Sequence, residues 1–134
     1  MSKKISPREI SQAELSVMEV LWGESPLPAS DIADALAGAE KWNIKTIKTL
    51  LSRLVDKQAL STTKDGRRFL YAPLISRESY AATAAQSLSD RLFGGRAAPL
   101  VAHLAEGRGL SDEDIAELEL ILASIKKDGL KNDR

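Results

Sequence analysis

The hydrophobic positions of the chain fall into helix-spaced groups separated by glycine and proline, with one interruption of shorter period around residues 60–73. Ser11 followed by Glu14 is the signature of a capping box, and an apolar pattern follows at once. It predicts a helix from about Gln12 to Trp22 whose polar residues, Gln12, Ser16 and Glu19, share a narrow stripe. Ala13, Leu15, Val17, Met18, Val20 and Leu21 cover most of the rest, so this helix packs on more than one side. Gly23 and Pro26 end it. LPASDIADALAG reads as a short second helix, with Pro28 near its start, Asp31 in its first turn and Gly38 as its stop.

A third helix runs from about Asn43, a better cap than Trp42, to Gln58. At steps of about 100° per residue, Ile44, Ile47, Leu50, Leu51, Leu54 and Val55 gather into one apolar sector of roughly 140°. The opposite sector holds Lys45, Thr46, Thr49, Ser52 and Arg53, with Lys48 at its edge and no acid. One face is made for burial, and the other suits a partner that attracts cations and hydroxyls.

LSTTKDGRRFLYAP then changes the period. Two β-prone runs flank Asp65-Gly66, a dipeptide suited to the positive-φ residues of a two-residue hairpin turn. Three helices followed by a hairpin is the element order of a winged helix-turn-helix, in which the third helix enters the DNA major groove and the hairpin lies along the phosphates.

Pro73 separates this unit from an all-helical remainder. A fourth helix spans about Ser76–Phe93, with Ala81, Ala84, Ala85, Leu88 and Leu92 as its stripe, and Gly94-Gly95 breaks it. A short fifth helix covers about Ala97–Ala105. Ser111 and the acids at 112–114 open a sixth, which Lys126 and Lys127 close. Ile115, Leu118, Leu122 and Ile125 repeat along it as an interface seam. Such thin stripes do not make a sufficient core alone, so these helices pack either on the winged domain or on a second copy of themselves, and the second copy is the expected cover. The fold class expected is therefore mainly α with a small β hairpin: a winged helix-turn-helix DNA-binding domain at 1–74 and a helical dimerisation domain at 75–134.

Charge sharpens this reading. The 134 residues carry 19 Lys/Arg and 19 Asp/Glu, a net of zero. Yet residues 41–68 hold eight Lys/Arg against Asp56 and Asp65 alone, a net of +6, and residues 1–40 hold three against seven acids, a net of −4. The cations coincide with the third helix (Lys45, Lys48, Arg53) and the hairpin (Lys64, Arg67, Arg68), which is where a winged helix meets an anionic duplex. A content of 43% hydrophobic and 28% charged residues is that of an ordinary globular chain. No run of about 18 apolar residues spans a membrane, and MSKKISPREIS has no apolar stretch to make a signal peptide, so a cytoplasmic location is expected. With no Cys there is neither a disulfide framework nor a thiolate metal site, and no metal or cofactor is expected.

With these residues in view the chain resembles the penicillinase-repressor family of BlaI/MecI type. The resemblance rests on ISQAELSVMEVLW, KTIKTLLSRL, the hairpin with FLYAP, and LFGG followed by PLVAHLAEGRGLSDEDIAELELIL. It implies a homodimeric repressor of a palindromic operator, controlling β-lactamase or related resistance genes and answering to a membrane sensor protease. It also implies that Lys45 and Thr46 face base edges, with Lys48, Thr49 and Arg53 on bases or phosphates; Lys64, Arg67 and Arg68, flanking the tight turn, are expected on phosphates from their place in the wing. The expected dimer interface takes in Leu88, Leu92, Leu100, Leu104, Ile115, Leu118, Leu122 and Ile125. Cleaved members of the family carry an Asn-Phe bond; the matching position here is His103-Leu104. Related copper-responsive repressors end in paired cysteines, which this chain lacks.

Two other classes compete. The single histidine, His103, has neither a Cys nor a second His for a catalytic relay, and no nucleophile, phosphate-loop or zinc-protease motif occurs, so an enzyme is not expected. A winged-helix protein-interaction module is the alternative; such a module would expose an apolar or aromatic anchor on the third helix. Trp22 and Trp42, at helix ends, read as packing residues.

Overall fold

The first helix, α1 (Gln12–Gly23), starts with a reciprocal cap: the Glu14 amide donates to Ser11 Oγ at 3.1 Å and the Ser11 amide to Glu14 Oε1 at 2.8 Å. In the computed structural model, which describes residues 9–38 and 41–131, it is followed by β1 (Leu27–Pro28), α2 (Ala29–Leu36), α3 (Ile44–Asp56), β2 (Leu60–Asp65) and β3 (Arg68–Pro73). Then come α4 (Arg77–Phe93), α5 (Ala97–Glu106) and α6 (Asp112–Lys131). The cations of the N-terminal MSKKISPR stretch lie outside the described residues.

The core is the meeting of α1, α2 and α3 with the start of β2. Val17, Met18, Ile32, Ile47, Leu51 and Leu54 have no exposed surface, and Leu60 has 1%. α3 is capped by Asn43, whose side chain accepts from the Thr46 amide at 2.9 Å. It ends in a Schellman motif: the Gln58 amide donates to Val55 O and the Ala59 amide to Leu54 O. Gln58 itself takes the left-handed conformation there, at φ 65°. Strand β2 therefore starts directly from the helix end.

Three expectations are corrected. The sheet has three strands in the order β1-β3-β2, because Leu27 and Pro28 pair antiparallel with Tyr71 and Leu70. Two residues have no period of their own, so β1 leaves no pattern in the sequence. The hairpin turn is displaced by one residue: Asp65 pairs with Arg68, leaving Gly66-Arg67 as the two-residue loop. Of that pair only Gly66, at φ 67°, has a positive φ, which matches a type II′ turn with glycine first. Finally, α6 continues past Lys126 and Lys127 to Lys131, through Gly129. Glycine in a helix costs about 1 kcal/mol but keeps its amide hydrogen, so it does not end a helix by itself.

Packing divides the chain inside α4, between Leu88 and Ser89. In the first unit the start of α4 is held by Trp22. The indole Nε1 donates to Ile75 O at 2.9 Å, the Tyr80 ring lies tilted against the indole with centroids 5.9 Å apart, and Arg77 lies 5.2 Å from the indole centroid while pairing with Glu19. In the second unit Ser89 Oγ donates to Arg96 O at 3.2 Å, and the Phe93 and His103 rings approach to 5.5 Å. Ser111 caps α6 by accepting from the Asp114 amide at 3.0 Å. Among the described residues no helix is long and apolar enough to cross a membrane, and no cluster of metal-binding side chains occurs.

Candidate nucleic-acid interface

α3 buries Ile47, Leu50, Leu51 and Leu54 and turns Lys45, Lys48, Thr49, Ser52 and Arg53 outward, all of them exposed. These five sit at spacings of three and four residues, one stripe of the helix. Together with Ile44 they line a shallow depression of about 530 Å³. Thr49 Oγ1 donates to Lys45 O at 3.1 Å, which fixes its rotamer and leaves its oxygen free to accept. Thr46 is half-buried at the edge of this face, outside the depression.

The wing carries the other cations. Lys64, Arg67 and Arg68 are exposed, with Arg67 at the turn. Arg68 is already engaged: its Nε and Nη2 donate to Asp65 Oδ2 at 3.3 and 3.2 Å. Among the described residues, Lys45, Lys48, Arg53, Lys64 and Arg67 have no carboxylate partner. Cations with no carboxylate partner among the described residues suit an external anion, and the pairing of β1 with β3 ties the wing to the strand that leads into α2.

One member of the basic segment belongs elsewhere. Lys57 donates to Glu14 Oε1 at 2.6 Å and to Glu9 O, so its charge is spent between α1 and α3 rather than on the outer face. The Glu14 carboxylate is 2% exposed. Burial by itself would raise its pKa, but the Lys57 ammonium and the Ser11 amide and hydroxyl outweigh that and hold it below the ordinary 4.5. The capping-box position of Glu14 is visible in the sequence; its second role, as anchor for the end of α3, depends on a residue 43 positions away. Ile44 also departs from expectation. It belongs by angle to the apolar sector, yet 42% of it is exposed beside Lys45 and Lys48.

Three packed helices, a cationic third helix and a hairpin tied back by a short first strand define a winged-helix fold of the kind used by transcription regulators. The chain belongs to the penicillinase repressor family, whose model matches residues 10–124. It is 37% identical over 118 residues to the penicillinase repressor of Bacillus licheniformis, covering 88% of this chain and 92% of that one. It is 31% identical over 114 residues to the methicillin resistance regulatory protein MecI of Staphylococcus aureus (strain N315), covering 85% and 93%. Among solved structures it is similar to the DNA-binding domain of the repressor BlaI, at 43% identity and a TM-score of 0.51, covering 59% of this chain and 94% of that one. The family is one of repressors, not of enzymes.

Proposed function

We propose that this chain is a homodimeric, sequence-specific DNA-binding repressor that reads a palindromic operator with α3 and grips its backbone with the wing. The observation that carries the reading is the outer face of α3. Lys45, Lys48 and Arg53 stand there exposed, with no carboxylate partner among the described residues, in a chain whose net charge is zero. On this reading Lys45 donates to guanine acceptors and Thr46 reaches a base edge from its half-buried position. Lys48, Thr49 and Arg53 contact bases or phosphates, and Lys64, Arg67 and Arg68 hold phosphates. The relatives' names, a penicillinase repressor and a methicillin resistance regulator, support control of β-lactamase or related resistance genes.

The dimer completes the reading, with a DNA-binding part at 1–74 and a dimerisation part at 75–134. Leu92, Leu104, Ile115, Leu122 and Ile125 are all more than 40% exposed in the single chain, and Leu88, Leu100 and Leu118 are half-buried. A second copy is the cover that also sets two recognition helices on two half-sites. Control by a sensor protease would act at His103-Leu104; both residues lie within helical α5, so cleavage there requires that helix to open first.

Selection of bound DNA from a random pool tests the reading. A repressor of this kind enriches a twofold-symmetric motif, whereas the alternative, a winged-helix protein-interaction module, enriches nothing.

A further inference from the structure

α3 opens with an apolar residue that the core does not use. Ile47, Leu50, Leu51 and Leu54 close the buried face at 0–5% exposure, and Ile44, the first residue after the Asn43 cap, remains 42% exposed. Local structure does not ask for it either, since a β-branched residue is a weaker helix former than the Lys that follows. A lone exposed aliphatic residue is ordinary on a protein surface, and one set among five cationic or hydroxyl side chains is not the apolar anchor of a protein-interaction helix. Among the six described residues lining the depression it is the one apolar side chain, the other five being Lys45, Lys48, Thr49, Ser52 and Arg53. It also sits at the N-terminal end of the helix, the end that reaches base edges when a recognition helix enters the major groove.

An aliphatic branch neither donates nor accepts a hydrogen bond, so it distinguishes bases only by apolar contact. The apolar group on the major-groove edge of a base pair is the thymine C5-methyl. We propose that Ile44 is a specificity-determining residue that packs against a thymine methyl in each half-site, beside the base read by Lys45. The proposal rests on the DNA-binding reading above.

The test uses the whole 134-residue chain and the operator obtained from the random pool. Each thymine of a half-site is replaced in turn by deoxyuridine, which removes the methyl and keeps every hydrogen-bonding group. At one position the wild-type protein should lose about fourfold in affinity, the effect of one buried methyl-sized group. Ile44→Ala should bind the thymine and uracil forms of that position equally, and Ile44→Val should keep most of the difference. Because the ratio is taken within each protein, incomplete folding of a variant does not disturb it. A wild-type protein indifferent to uracil at every position, or an Ile44→Ala protein with an unchanged ratio, overturns the proposal while leaving DNA binding intact. A pool with no enriched sequence removes the DNA-binding reading itself, and this proposal with it.

Discussion

α3 and α6 carry the same kind of residue at the same helical spacing and treat it in opposite ways. In α3, Ile47, Leu50, Leu51 and Leu54 are 0–5% exposed; in α6, Ile115, Leu122 and Ile125 are 43–60% exposed and Leu118 is half-buried. The first stripe is met by α1 and α2 of the same chain, and in the single chain the second lies open to water. A 3.6-residue period reports that a helix face is apolar, not whether its cover comes from the same chain or from another. The winged unit should therefore be stable by itself, and α6 should depend on the proposed dimer.

The largest effect expected from breaking that contrast is at α6. Leu122→Asp places a carboxylate in the proposed seam, where desolvation without a partner is costly, while the winged core is untouched. Sedimentation should show a monomer with its helical signal retained. Operator affinity should fall roughly 10²- to 10⁴-fold, because two linked half-sites are reduced to one. A variant that remains dimeric places the interface elsewhere.

Leu51→Ala makes the converse test in the winged unit. Leu51 is fully buried, so truncation should cost ~2–5 kcal/mol in urea unfolding. The α6 seam carries no part of that core, so dimerisation at low temperature should survive. If Leu51→Ala dissociated the dimer, the two regions would not be independent in the way the burial pattern indicates.

Glu14→Gln gives a smaller effect with a pH signature. The amide can still accept from the Ser11 amide, but Lys57 loses its counter-charge, at a cost of about 1–3 kcal/mol because Lys57 keeps contact with water. The pKa of Glu14 is lower in the folded chain than its ordinary 4.5. Its contribution to stability is therefore complete above that ordinary value and is lost as pH falls through the lower native one. Urea midpoints should fall more steeply with acid in the wild type than in Glu14→Gln, and parallel curves would remove Glu14 as the source.

The smallest effects distinguish the two halves of the proposed DNA interface. Lys45→Ala should cost about 1–3 kcal/mol and relax preference at one position of each half-site. Arg67→Ala should weaken all sequences alike and lower the slope of log K against log salt by about one per lost phosphate contact. Arg68→Ala should change that slope less, since Asp65 already holds its guanidinium. Equal slopes for Arg67→Ala and wild type would take the wing off the DNA.

By itself the sequence determined what is decided within three or four residues or by a repeating face. Ser11, Asn43 and Ser111 start their helices by accepting from amides three positions on, so each start was legible. The buried and cationic faces of α3 followed from its period, and the hairpin from a glycine between two β-prone runs. Tertiary structure decided whatever depends on a partner far along the chain. Strand β1 exists because β3, more than 40 residues later, offers Leu70 and Tyr71 to pair with it. Lys57 leaves the basic face because Glu14 lies beside it. Ile44 stays outside because Ile47, Leu50, Leu51 and Leu54 already close the core, and a helical angle does not reveal where the neighbouring helices stop covering a face.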